Sequence, residues 1–91
     1  MIFKMFCIHD SKVGAYMQPF FARSIGDAMR SWTAVCNDGK SMMSIYPGDY
    51  TLFEIGSYSE DTGVVTPLDV LHSLGTGLEV KRSESPVSLV S

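Results

Sequence analysis

The pattern of apolar positions begins with a strand that is apolar on both faces. From Ile2 to His9, apolar side chains occupy both alternating sets of positions, with Lys4 as the one interruption. Such a strand is central in its sheet, or its second face is covered by another subunit. The next segment, residues 10–21, contains Gly14 and Pro19 and has no clean period, which predicts a loop or an irregular extension.

Residues 24–37 carry the clearest helical pattern. Their apolar residues recur with the spacing of a one-sided helix, at Ile25, Ala28, Met29, Trp32, Val35 and Cys36. Ser24 is placed to cap the first turn, and Asp27, three residues on, completes a capping-box arrangement. The sequence Asn37-Asp38-Gly39 predicts the end of the helix.

The second half of the chain begins with a predicted hairpin. Pro47-Gly48 marks a turn, and residues 50–58 have the tyrosine, threonine, phenylalanine and isoleucine content of a strand. Residues 59–63 predict the hairpin loop, with Gly63 where positive φ is needed, and residues 64–66 predict the returning strand.

The segment after this hairpin has two interpretations. Pro67 has the position of a first helical residue and Gly75 that of a stop, which predicts a helix over residues 67–74. Val70 and Leu71 fit a short strand equally well. Residues 78–80 predict a last edge strand.

Together these elements predict an α+β fold. A small, mainly antiparallel sheet of residues 2–9, 50–58 and 64–66 packs one face against the helix. Residues 1–81 are expected to form a single domain, and residues 82–91 a flexible C-terminal tail. Because a domain of this size has a small core, and because apolar surface remains, we expect a homo-oligomer.

Composition and charge narrow the function. With 45% hydrophobic and 19% charged residues, the 91-residue chain is expected to fold rather than to be disordered. Its net charge of -3 argues against a general polyanion binder. Residues 1–48 nevertheless hold five cations and three carboxylates, a net charge of +2, whereas residues 49–91 hold two cations and seven carboxylates, a net charge of -5. A basic surface is therefore possible on one side only.

The two cysteines and the apolar segments indicate a reducing location. Cys7 and Cys36 lie in apolar segments without partners at metal-ligand spacing, so buried, reduced thiols are favoured over a disulfide. The N-terminal sequence has no signal-peptide pattern, and no segment has the roughly 20 apolar residues of a membrane span. We expect a cytoplasmic protein without membrane contact.

The residue types that catalyse reactions form no convincing set. His9, Asp10, Ser11 and Lys12 are adjacent, so their side chains diverge along a strand, and Asp10 and Ser11 are better interpreted as bonding to local backbone where the strand ends. His72 is the only other histidine, which makes a metal site a poor hypothesis. No phosphate-binding or dinucleotide-binding loop is present. We therefore expect no enzyme, no metal and no cofactor.

Aromatic residues interleaved with cations predict a nucleic-acid surface instead. Single strands are bound by aromatic faces for the bases and by cations for the phosphates. The candidate residues are Lys12, Tyr16, Phe20, Phe21, Arg23, Arg30 and Lys40. The alternative for Phe20 and Phe21 is that they pack under the helix or at a subunit contact.

The order of these segments resembles a known family. "IHDSKVGAYMQPFF", "AMRSWTAVCND", "PGDYTLFEIGSYSEDTG" and "LGTGLE" are similar, in order and spacing over about 80 residues, to the small nonstructural protein of gokushovirus-type microviruses, which are single-stranded DNA bacteriophages. The resemblance implies a viral protein made in the cytoplasm of the infected bacterial host that binds DNA or assists the transition from replication to packaging. It carries over no catalytic or binding residues.

These inferences give two hypotheses for the function. In the first, the protein binds single-stranded DNA during phage genome replication or packaging. In the alternative, it is a non-catalytic, oligomeric protein-interaction module that binds a phage or host protein without DNA.

Overall fold

A computed structural model describes residues 1–82 and shows an α+β fold built on a five-stranded antiparallel sheet. The strands are β1 (Ile2–Asp10), β2 (Ala15–Tyr16), β3 (Phe20–Ala22), β4 (Tyr50–Ser59) and β5 (Val65–Thr76). The helices are α1 (Ile25–Cys36), α2 (Met42–Ile45) and α3 (Gly77–Val80), with a 3-10 turn at Pro47–Asp49. The predicted fold class is confirmed. The predicted tail lies outside the described residues from residue 83 onward.

Strand β1 lies in the middle of the sheet, as its two apolar faces predicted. Along one side it pairs with β4 over the whole of its length, and along the other side it pairs with β2 at one end and β3 at the other. Strand β5 pairs with the far side of β4 and forms the edge of the sheet.

The prediction of a loop over residues 10–21 is wrong in part. Gly14, at φ +76°, turns the chain back so that β2 pairs with the end of β1, and β3 then pairs with its beginning. Strands of two and three residues are too short to show a period, and they are held by pairing with β1 rather than by local preference. Sequence periodicity therefore could not reveal them.

Helix α1 covers one face of the sheet. The Ser24 hydroxyl accepts a hydrogen bond from the Asp27 backbone N–H at 3.1 Å and so caps the first turn, as predicted. Ala28, Trp32 and Cys36, spaced four residues apart, are buried on the inner side of the helix. They pack against buried residues of β1 and β4, Phe6 and Leu52 foremost, to form the core.

Residues 67–74 are strand and not helix. They belong to β5, so the strand interpretation of Val70 and Leu71 is confirmed and the helix prediction is wrong. A proline serves the first turn of a helix and an edge strand equally well, because neither needs its N–H.

Residues 78–80 are helical where an edge strand was predicted. They lie in α3, which begins with a capping box between Thr76 and Glu79. The Glu79 carboxylate accepts from the Thr76 N–H at 3.1 Å. A threonine followed three residues later by a glutamate is the sequence signature of this motif, so the start of α3 was predictable from the sequence.

The register of β4 with both of its neighbours, β1 and β5, shifts at the same position, between Glu54 and Gly56. Strand β1 pairs Met5 with Gly56 and then Phe6 with Glu54, which leaves Ile55 as an extra residue in β4. Opposite this bulge, β5 pairs Pro67 with Gly56 and then His72 with Glu54. A bulge reverses the alternation of side chains along the strand that carries it.

Gly56 fixes the bulge because β5 passes very close to it. A Cβ on Gly56 would lie 2.6 Å from the Thr66 carbonyl oxygen and 3.0 Å from the Pro67 Cα. Both neighbours are backbone atoms and cannot rotate away.

We predict opposite effects of two glycine-to-alanine substitutions on stability. Gly56→Ala is expected to lower the free energy of unfolding by more than about 1 kcal/mol, because the methyl group overpacks against β5. Gly26→Ala is the matched control: its Cβ would meet only the Ser24 hydroxyl at 3.7 Å, and alanine in place of glycine stabilises a helix by roughly 0.5–1 kcal/mol. Urea denaturation followed by circular dichroism measures both. Equal effects of the two changes would contradict the close approach of β5.

Candidate nucleic-acid interface

The face of the sheet turned away from α1 carries a group of aromatic side chains. In an antiparallel sheet, residues directly opposite each other point to the same face. The register pairs His9 with Tyr16, Cys7 with Phe53, Met5 with Phe21 and Phe3 with Tyr58, whereas the core residues occupy the alternate positions. This surface comprises Phe3, Met5, Cys7, His9, Tyr16, Phe21, Phe53 and Tyr58, and we call it the open face.

Three of these rings form a cluster at one end of the open face. The ring centroids of His9 and Tyr16 are 4.7 Å apart, and that of Phe53 lies 5.7 Å from Tyr16 and 6.5 Å from His9. All three pairs are tilted or edge-on, which is a favourable arrangement of aromatic quadrupoles. Tyr16 remains 49% exposed. The cluster therefore holds a tyrosine in a defined position while one side of it faces outward.

A second aromatic pair lies at the other end of the open face. The rings of Phe21 and Tyr58 are 5.5 Å apart, and Phe21 is 52% exposed. Met5 lies opposite Phe21 and is four positions from His9 in β1, so the two aromatic groups are about 13 Å apart along the strand. Met5 and the buried Cys7 lie between them.

Sequence reasoning missed Phe53 and Tyr58, and the bulge explains why. The two residues are five positions apart, so simple alternation places them on opposite faces of a strand. The extra residue Ile55 reverses the alternation and brings both to the open face. A bulge set by the approach of β5 leaves no periodic signal in the sequence of β4.

The three aromatic residues predicted to stack on bases lie on different faces of the sheet. Tyr16 and Phe21 lie on the open face. Phe20 lies opposite Phe6 on the core face, where the two rings stack with centroids 5.7 Å apart. The assignment of Phe20 to base stacking is therefore corrected, because its ring packs against the core under α1.

The four proposed cations are also divided between two regions. Lys12 lies in the turn that joins β1 to β2, and Arg23 follows Phe21 by two residues, so both flank the open face. Arg30 is on the exposed side of α1, and Lys40 follows the end of that helix. The structure does not bring Arg30 and Lys40 together with the aromatic residues.

The ion pairs of the described residues leave these four cations uncompensated. The Lys4 ammonium lies 3.3 Å from the carboxylate of Glu54, which is 7% exposed and also lies 3.2 Å from the His72 Nδ1. The carboxylates of Glu60 and Asp61 are 3.8 and 2.9 Å from the N-terminal amine. Three of the seven carboxylates of residues 49–91 are thus engaged, whereas Lys12, Arg23, Arg30 and Lys40 form no ion pair within residues 1–82.

The cluster of reactive residue types at the end of β1 has a structural role. One oxygen of the Asp10 carboxylate accepts hydrogen bonds from the backbone N–H groups of Lys12 and Val13, at 3.0 and 3.4 Å. This is the local turn that the sequence predicted for Asp10. A cleft of about 580 Å³ lies beside it, lined by Asp10, Lys12, Val13, Met42, Tyr46, Asp49 and Tyr50.

The described residues offer neither a metal-binding group nor a helix that could span a membrane. Within residues 1–82, no group of three or more histidine, cysteine, aspartate or glutamate side chains is arranged to hold a metal ion. No helix in that part of the chain is both long and apolar enough to cross a membrane.

The two cysteines are buried free thiols, as predicted. Burial raises the pKa of the Cys7 thiol above its usual value, and it raises the pKa of Cys36 to about 11 in spite of the nearby Lys81. Thiols held in the protonated form are poor nucleophiles and poor metal ligands.

Comparison with known proteins identifies a phage family. The sequence model of the family described as Phage ORF5 protein matches residues 3–80, which extend from β1 to the end of α3. No curated protein and no solved structure matches the chain.

The raised thiol pKa values predict a fall in stability at alkaline pH. Because the pKa of Cys36 is about 11 in the folded chain and 9.0 ordinarily, the unfolded chain loses its proton first, and stability falls as the pH rises between these values. Urea denaturation at pH 8 and pH 10.5 measures the fall. The Cys36→Ala variant is expected to lose less stability over the same interval, and an equal loss in the two proteins would contradict the assignment to Cys36.

Proposed function

The chain belongs to the Phage ORF5 protein family, and from this premise we propose that it is a non-catalytic, nonstructural phage protein that binds single-stranded DNA. In this proposal the phage is a microvirus of the gokushovirus type. The protein acts in the host cytoplasm during genome replication or packaging. It needs no cofactor.

The observation that carries the proposal is the open face itself. Six aromatic rings lie on the side of the sheet that no helix of the described residues covers, and two of them, Tyr16 and Phe21, are half exposed. Proteins that bind single strands stack the bases on such rings and need no sequence-specific hydrogen bonds to do so. Bases in a duplex are already stacked on one another, so the same rings favour a single strand.

The charge distribution supports a small, mixed site rather than a basic groove. With a net charge of -3, the chain gains little from general attraction to phosphates. Lys12 and Arg23 flank the open face near its two aromatic groups, where each can neutralise a phosphate of a strand that runs along β1. Arg30 and Lys40 have no part in this site. Tyr16 and Phe21 receive the bases, and Phe53, Tyr58 and His9 hold those two rings in place.

The second hypothesis uses the same surface for a protein. Aromatic residues and methionine are enriched in protein interfaces, and the open face also contains Met5. A phage or host protein seated there would exclude DNA from the rings. The two functions differ in the dependence of binding on salt, because DNA binding releases counterions.

We predict that the exposed rings of the open face contribute directly to affinity for DNA. Replacing Tyr16 or Phe21 with alanine is expected to weaken binding of a fluorescent oligothymidylate by roughly five- to 150-fold, which corresponds to about 1–3 kcal/mol per stacked base. Leu78→Ala is the control, since Leu78 is 62% exposed but lies in α3, in the helix layer. Equal losses for Tyr16 and Leu78, or no binding by the wild type at low salt, would remove the proposal.

We also predict a position-dependent effect of charge. The double variant Lys12→Gln/Arg23→Gln is expected to bind single strands more weakly and with a smaller salt dependence, because each lost phosphate contact reduces the slope of log K against log salt by about 0.7. The variant Arg30→Gln/Lys40→Gln removes the same charge from the helix layer and is expected to retain the wild-type slope. If the two double variants lose the same slope, Lys12 and Arg23 are not the phosphate contacts.

A further inference from the structure

The cleft beside the turn after Asp10 combines exposed apolar side chains with a few polar groups. Its volume of about 580 Å³ lies within the range of roughly 300–1,000 Å³ that is usual for ligand sites. Val13, Met42 and Tyr46, which line it, are 73%, 53% and 53% exposed. Large apolar side chains that remain exposed around a few polar groups are typical of a binding site.

Backbone hydrogen bonds hold the walls of this cleft together. The Ser11 N–H donates to the Asp49 carbonyl oxygen at 2.9 Å, which joins the end of β1 to the 3-10 turn. The Asp49 N–H in turn donates to the Tyr46 carbonyl oxygen at 3.0 Å. The carboxylate of Asp10 fixes the opposite wall through the turn that contains Lys12 and Val13. The cleft is therefore preformed, which lowers the entropic cost of filling it.

The cleft lies at the end of the sheet that carries the three-ring cluster of the open face. Asp10 follows His9 in β1, so its side chain lies on the other face of the sheet, on the side of the helices. Lys12 lies in the turn between β1 and β2 and also lines the cleft. A single strand that leaves Tyr16 therefore passes Lys12 to enter the cleft.

Asp49 supplies an acceptor that the fold does not use for an ion pair. Its carboxylate lines the cleft and forms no ion pair within residues 1–82. A carboxylate with both oxygens available accepts two parallel hydrogen bonds from a ligand that presents two neighbouring donors. The exposed ring of Tyr46, in the same cleft, offers a surface on which a planar group can stack.

We propose that this cleft binds a guanine base, and that it gives the protein a preference for single strands that contain guanine. The preference for strands rests on the proposed function. Guanine presents N1–H and its 2-amino group side by side, and the Asp49 carboxylate accepts from both while the base stacks on Tyr46. Lys12 neutralises the phosphate at the entrance.

The other three bases match a carboxylate less well. Adenine and cytosine each offer one amino group beside a ring nitrogen that is an acceptor. Thymine offers one N–H between two carbonyl oxygens, and the carboxylate repels both. Guanine is therefore the base that the donors and acceptors of the cleft select.

Three short oligothymidylates that differ only in one central base test the selection. The strand with guanine is expected to bind at least about fivefold more tightly than the strand with adenine, which is also a purine but lacks the paired donors. Hypoxanthine in place of guanine removes only the 2-amino group and is expected to lower the affinity toward that of the adenine strand. Fluorescence anisotropy at low salt measures all three.

Two pairs of variants locate the selection in the cleft. Asp49→Asn is expected to bind the guanine and adenine strands with equal affinity, whereas Asp69→Asn, which removes the same charge from an exposed position of β5, is expected to keep the wild-type ratio. Tyr46→Ala is expected to weaken binding of the guanine strand, and Tyr46→Phe to retain it, because the ring makes the contact. Circular dichroism checks that each variant is folded.

The outcomes separate the cleft from the proposed function. Equal affinity of the wild type for the guanine and adenine strands, or a preference that folded Asp49→Asn retains, would overturn the guanine site. Strand binding without a preference would leave the proposed function in place. Free deoxyguanosine monophosphate distinguishes a nucleotide from a strand: if it shifts the ring signals of Tyr46 and Tyr50 in nuclear magnetic resonance spectra while no strand binds, the guanine site stands and the proposed function is removed.

Discussion

Both faces of the sheet are apolar, but α1 covers only one of them, and the rest of the structure depends on this arrangement. Trp32 and its neighbours on α1 pack over Phe6 and Leu52, and no helix of the described residues covers the other side. Apolar burial is the dominant favourable term in folding, and in a chain of this length the core is confined to that single layer. Aromatic residues therefore remain on the open face, which is the surface on which we place DNA binding.

The bulge in β4 determines which aromatic residues lie on the open face. Without the extra residue Ile55, Tyr58 would lie on the core face while Phe53 faced outward, and the pair of Phe21 and Tyr58 would not form on the open face. Gly56 allows β5 to approach where the register slips, and the same slip projects Leu68–Leu71 from the edge. One irregularity therefore shapes both the proposed DNA surface and the edge strand β5.

Local signals made part of the fold predictable. Helix α1 follows from its apolar spacing and from Ser24, and β1 and β4 follow from their composition, because these features act within a few residues. Strands β2 and β3 exist only through pairing with β1, so periodicity could not predict them. Pro67 suits both a helix start and an edge strand, and the choice between them was made by pairing with β4.

The candidate site was predictable only where it coincides with local chemistry. Tyr16 and Phe21 were proposed from their place among cations, and Phe20 could not be separated from Phe21 without the register of β3, which turns its ring to the core. Phe53 and Tyr58 could not be predicted as site residues, because a bulge that leaves no sequence signal places them on the same face. The prediction that all four cations share one surface was wrong for a similar reason. Arg30 and Lys40 are near the aromatic residues in sequence but lie in the helix layer and not on the open face.

The most direct test of the central claim is a nuclear magnetic resonance titration of the full chain with a short oligothymidylate at low salt. We predict that the aromatic ring signals of Tyr16, Phe21, Phe53 and Tyr58 shift together as the strand binds, while the ring signals of the core residue Trp32 and the amide signals on the outer side of α1 change little. Shifts confined to α1, or unchanged ring signals at saturating DNA, would contradict the assignment of DNA binding to the open face.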